Sequence, residues 1–249
     1  MKKIILLLVV FLIILTGCSN DGDKIDEKKD NTNYREMTSG EQEKFLNIID
    51  DLQYFDFLSK SFRVADLNNQ DVLQFTYELL GDLNGKKFAE IETLVSKYLN
   101  YSVEPENVIC RTHYNVSLSS EDLYLYDSKT DSYSYNSNHL GHGGGGFRTY
   151  VINRYVSSKV TDNTYEIIVY KGFSDLLGDV STDEIEYNFY ATYDDAVEQK
   201  NPLFKALPSD ASTKLEEYDK TDNLVEYKYT FKLKNENYLL TDYEIKKEA

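Results

Sequence analysis

The chain has 249 residues, with 43 Asp and Glu against 27 Lys and Arg, for a formal net charge of −16. So acidic a surface is repelled by nucleic acid and by anionic headgroups, which excludes the polyanion-binding classes. The length suits one domain or two small ones and is ample for a buried core.

The chain opens on Lys2 and Lys3, followed by an unbroken apolar run from Ile4 to Leu15. That order of charge, apolar run and small residues is the pattern of a secretory signal peptide. A transmembrane helix needs about 20 apolar residues, and Gly17, Cys18, Ser19, Asn20 and Asp21 cut this run short. The four residues Leu15-Thr16-Gly17-Cys18 resemble a bacterial lipobox. The resemblance implies removal of residues 1–17 and a lipid-modified Cys18, carrying diacylglyceryl and palmitate chains, as the first mature residue. It also implies a place on the extracytoplasmic face of the cell membrane, since two acyl chains are enough for stable anchoring.

Residues 19–37 are charged, polar and nearly free of apolar side chains. Such a segment buries too little surface to fold and reads as a tether between Cys18 and a domain over 38–249.

Helical spacing comes next. Ser39 and Gln42 stand at capping-box distance. Phe45, Leu46, Ile48, Ile49, Leu52, Phe55 and Leu58 then recur mostly at helix intervals. A second helix is predicted from Asn69 to Leu80, ended by Gly81. A third carries Phe88, Ile91, Leu94, Val95, Tyr98 and Leu99, so the helices occupy about 39–100 and Pro105 closes them off.

Beyond Pro105, over about 106–247, the period changes to two. Val225, Tyr227, Tyr229, Phe231 and Leu233 alternate with Glu226, Lys228, Thr230, Lys232 and Lys234. Ile185, Tyr187, Phe189, Ala191 and Tyr193 form a second alternating run. Further strands are predicted at Leu123–Asp127, Ser132–Asn136, Phe147–Val156, Tyr165–Lys171 and Tyr238–Ile245. Asn235-Glu236-Asn237 is a turn, and a loop with a short helix near Ser212–Tyr218 fills Ala196–Asp222. Helices first and strands later predict a single α+β domain, its helices on one face of a mostly antiparallel sheet and water on the other. In this order it resembles the nuclear-transport-factor-2-like and cystatin-like folds.

Chemistry-bearing residues are few. Once lipidation consumes Cys18, Cys110 cannot form an internal disulfide and reads as a small buried residue. His139-Leu140-Gly141-His142 runs into Gly143–Gly146. Successive glycine amides in such a loop can cradle an anion, though it equally suits a hairpin connection. Cys110 and His113 together with His139 and His142 make one sulfur and three imidazoles, a set of zinc-ligand type. On a strand, however, residues three apart face opposite sides, so no metal, cofactor or catalytic residue is assigned. His139 and His142 stand as candidate ligand-binding residues. No G-x-S-x-G or H-E-x-x-H motif occurs. Asp127 with Asp131, and Asp194 with Asp195, fall where turns are expected. Tyrosines at 133, 135, 150, 155, 187, 227 and 229 fall in strand-like runs and would make a contact face if exposed, although Tyr also simply favours strands.

The expectation is a membrane-anchored lipoprotein with a binding or interaction domain for a protein or glycan. The alternative is an envelope-acting hydrolase or metal-dependent enzyme using the His139–His142 loop.

Overall fold

The computed structural model describes residues 34–52, 60–109, 122–138, 149–175 and 185–246. The first helix, α1 (Ser39–Leu52), is capped one residue earlier than the spacing of Ser39 and Gln42 predicts. Thr38 Oγ1 accepts from the Glu41 amide at 3.3 Å, and the Glu41 carboxylate accepts from the Thr38 amide at 2.8 Å. Two orphan donors are thereby satisfied reciprocally, in an arrangement worth about 1 kcal/mol. Arg35 reaches the same carboxylate at 2.6 and 2.7 Å and, through that hydrogen bond above all, holds Glu41 down at about 2. The helix buries Phe45, Ile49 and Leu52, spaced by four and three residues.

The second helix, α2 (Asn69–Leu80), runs over the predicted range. Asn68 and Asp71 form a reciprocal cap at 2.9 Å in each direction, and Gly81 ends the helix at φ 71°, where a Cβ would be strained. The third, α3 (Phe88–Tyr98), buries Phe88, Ile91, Val95 and Tyr98. It is tied to α1 by Tyr98 Oη, which donates to Asp51 at 2.7 Å.

Two antiparallel sheets carry the rest. The small one joins β2 (Val108–Ile109), β3 (Asp122–Asp127) and β4 (Ser132–Tyr135) in that order. The large one includes β5 (Val151–Thr161), β6 (Thr164–Ser174), β7 (Tyr187–Tyr190), β8 (Phe204–Ala206), β9 (Glu226–Lys234) and β10 (Asn237–Lys246). A two-residue strand ahead of all of these, β1 (Phe62–Arg63), pairs with β10. The sheet thus recruits a segment from the region expected to be purely helical. Strand β6 is its centre. It pairs with β5 along its whole length, and its other edge takes β9 over Thr164–Tyr170 and β7 at Phe173–Ser174. The β9–β10 hairpin closes on Asn235 (φ 49°) and Glu236 (φ 67°), both left-handed, as the twist of a two-residue hairpin demands.

The helices cover one face of this sheet. Phe45 of α1 packs against Tyr165, Phe231 and Tyr238, with ring centroids 5.3, 5.0 and 4.6 Å apart. Tyr227, Tyr229 and Phe231 are buried in the same layer, so the clean alternation of β9 does mark a core-facing strand. The other face is not wet throughout. A short helix, α5 (Pro208–Glu216), covers it at the β5, β7 and β8 end, where Ile152, Phe189, Ala206, Ala211 and Leu215 form a second core. Gly172 makes that contact possible, because a Cβ there would meet Ile152 Cγ1 at 2.9 Å. The alternating run ending at Tyr193 is shorter than the pattern suggests. Thr192 caps a helix at that point, α4 (Tyr193–Glu198), by accepting from the Asp195 amide at 3.1 Å. All these elements belong to one unit, residues 33–249, and their architecture is α+β.

Candidate functional site

Cys18, Cys110, His113, His139 and His142 lie outside the described residues. So do residues 53–59, which hold the end of the first predicted helical run, and Phe147, the start of a predicted strand. The tyrosine contact face needs correction. Tyr133, Tyr187, Tyr227 and Tyr229 are buried, Tyr155 is half-buried, and only Tyr135 and Tyr150 of that set are exposed. These rings build the core, as the strand preference of tyrosine allows. Asp127 does serve a turn, accepting from the Lys129 amide at 2.9 Å, and Asp131 is left-handed at φ 51°.

The group that stands out chemically is Lys171. On β6 the side chains of Tyr165, Ile167, Val169, Lys171 and Phe173 share one parity, and all are buried under the helices. Lys171 is 0% exposed, and its Nζ has no hydrogen-bond partner among the described residues. Three rings surround the ammonium, with Tyr229, Tyr227 and Phe173 centroids 5.3, 5.7 and 6.0 Å away. Their negative faces attract a cation but do not replace the water it has lost. Burial pushes the amine down to about 7, against the opposing pull of the Asp50 charge.

Asp50, in the last turn of α1, is the carboxylate whose charge acts on this amine. It accepts from Asn153 Nδ2 at 2.6 Å, and Asn153 is the cross-strand partner of Lys171. Desolvation raises the Asp50 carboxyl, while the Asn153 bond and the Lys171 charge oppose the rise. The charge of Asp50 also acts on Tyr229. Asn153 Oδ1 and Tyr229 Oη are both buried without a hydrogen-bond partner among the described residues. Each such atom costs about 1–3 kcal/mol when left unpaired. The residues that carry these groups lie on α1, β5, β6 and β9, with Asn153 bonded to Asp50 and the Tyr229 ring facing the Lys171 amine. A lysine that sheds its proton near neutrality can act as a base or a nucleophile.

A signal for Lys171 exists in the sequence. It is the last residue of the predicted strand Tyr165–Lys171 and has the same parity as Tyr165, Ile167 and Val169, so the strand reading itself places a lysine on the apolar face.

On the opposite face the same sheet forms an open depression of ≈ 610 Å³. Arg63, Asp66, Glu166, Lys228, Asp242 and Glu244 line it, around Thr230. The register sets Glu166, Thr230, Asp242 and Arg63 in one row across four strands. Lys228 bonds Glu244 at 2.9 Å and lies 3.9 Å from Glu166. The bond to Glu244 is the largest influence keeping Lys228 charged, and it holds Glu244 below the usual carboxylate range.

Among the described residues, no group of three or more His, Cys, Asp or Glu side chains could hold a metal ion, and no helix is long and apolar enough to cross a membrane. Comparison with protein-family models, with curated proteins and with solved structures gave no match.

Proposed function

We propose that this chain is a lipoprotein anchored through Cys18 at the extracytoplasmic face of the cell membrane, and that its domain is a binding module for a protein or glycan. The lipobox-like run Leu15–Cys18 supports the anchor. The observation that carries the binding role is the open depression on the outer face of the sheet. Enzyme pockets are concave and bury most of a small ligand. This surface is open and crosses four strands. It presents Arg63 and Lys228 among carboxylates, an arrangement suited to a partner with charges of both signs.

A photo-crosslinking amino acid at Thr230, in the anchored protein on intact cells, tests this reading. Thr230 lies inside the depression, whereas Glu217 is exposed just beyond α5 and serves as the control position. The expected result is an adduct specific to Thr230 that excess unanchored domain suppresses. The same adducts from both positions would refute the binding role. The competing reading is a hydrolase or metal-dependent enzyme built on His139 and His142, and zinc content tests its metal-dependent form.

A further inference from the structure

We propose that Lys171 is a nucleophilic amine, and that its enclosed surroundings with Tyr229, Asn153 and Asp50 take small uncharged hydroxycarbonyl compounds by reversible imine formation. This goes beyond the binding role proposed for the outer depression, since Lys171 faces the other side of the sheet.

A packing role does not account for these residues. Between Val169 and Phe173 on a buried face, a leucine or methionine would fill the volume without a polar head. The three rings at 5.3–6.0 Å offset part of the cost of the ammonium. They do nothing for Asn153 Oδ1 and Tyr229 Oη, which are equally unpaired among the described residues. Three unpaired buried polar groups, the lysine's own amine and two beside it, call for a common explanation.

The donor set decides the ligand class. The lysine excludes a cation. The Asp50 charge and the accepting Asn153 oxygen disfavour an anion. A neutral carbonyl compound suits every group. Tyr229 Oη donates to the carbonyl oxygen, and Asn153 Oδ1 accepts from a hydroxyl on the adjoining carbon. The hydrogen bond between Asn153 and Asp50, at the cross-strand neighbour of Lys171, is exposed and is the solvent-facing edge of this cluster.

The chemistry closes without a redox partner. The nitrogen lone pair forms the C–N bond, the carbonyl π pair moves to oxygen, and one proton passes from nitrogen to that oxygen to give the carbinolamine. The second nitrogen proton and the hydroxyl then leave as water, and the C=N bond forms. Burial keeps part of the Lys171 amine neutral at neutral pH, whereas exposed lysines stay protonated.

The full-length chain in detergent is treated with limiting glycolaldehyde and cyanoborohydride at pH 7, which traps any imine as hydroxyethyl-lysine for peptide mass spectrometry. Lys171 should be labelled about tenfold above the average exposed lysine, with a rate that levels off above neutral pH. Urea should abolish the preference, and Tyr229→Phe should slow the labelling without lowering the melting temperature. Labelling at Lys171 no faster than at exposed lysines overturns the proposal. Glyoxylate, which is charged, should react more slowly there than glycolaldehyde, and equal or faster reaction overturns the assignment to uncharged ligands. Failure of this experiment leaves the Thr230 crosslinking result standing, and the converse also holds.

Discussion

The Nζ atom of Lys171 lies 5.3 Å from the centroid of the Tyr229 ring, and both side chains are fully buried. An ammonium enclosed by aromatic rings is favoured over one in a plain apolar core, yet it remains less stable than one in water. The fold therefore carries a titration that no surface lysine could provide.

Stability should rise with pH above neutrality. The folded-state amine sits at about 7 and the unfolded one at its ordinary 10.5. Between those values the unfolded chain binds a proton that the folded chain has released, so raising the pH disfavours unfolding. The gain from pH 7 to pH 9 should be about 2 kcal/mol. Above roughly pH 10 the trend should reverse, because burial raises Tyr229 and Tyr243 in the folded state and the unfolded chain ionises them first. Urea midpoints at pH 7 and pH 9 measure this, with Lys171→Met as the variant that should lose the dependence. Equal slopes in the two proteins would show that Lys171 is not its source.

Phe231 is 0% exposed, stacks on Tyr229 and packs at a tilt against Phe45. Truncation to Ala removes a ring from the contact between α1 and the sheet and should cost about 3–5 kcal/mol. A denaturant midpoint that barely moves would contradict that burial.

Cys18→Ser should leave the domain folded and without lipid. Growth with a radioactive fatty acid, followed by recovery of mutant and wild type, reads the modification directly. Label on the mutant would exclude Cys18 as the acceptor.

Replacing both His139 and His142 with Ala should change stability by less than about 0.5 kcal/mol if their loop only connects two strands. If these residues hold zinc with Cys110 and His113, the metal would raise the melting temperature of the wild type and not that of the double mutant. Stoichiometric zinc in purified wild type, lost in the mutant, would favour the enzyme reading.

What the amino-acid sequence determined alone was whatever short-range physics decides. Asn69–Leu80 could be read because its apolar spacing, the following Gly81 and the helix period all act within a few residues. The buried parity of β9 was legible because one-sided burial writes a period of two into the chain. The α+β class followed from the order of those periods. Tertiary structure decided the rest. Thr192 starts a helix inside an alternating run, since a cap can override a pattern of strand type. Phe62–Arg63 joins a sheet edge nearly two hundred residues away in sequence, with too few residues to show any period. The meeting of Lys171 with Asp50, Asn153 and Tyr229 depends on the register of β5 with β6 and on where α1 lies across them. Asp50 lies more than a hundred positions from Asn153 and Lys171, and no local pattern encodes that placement.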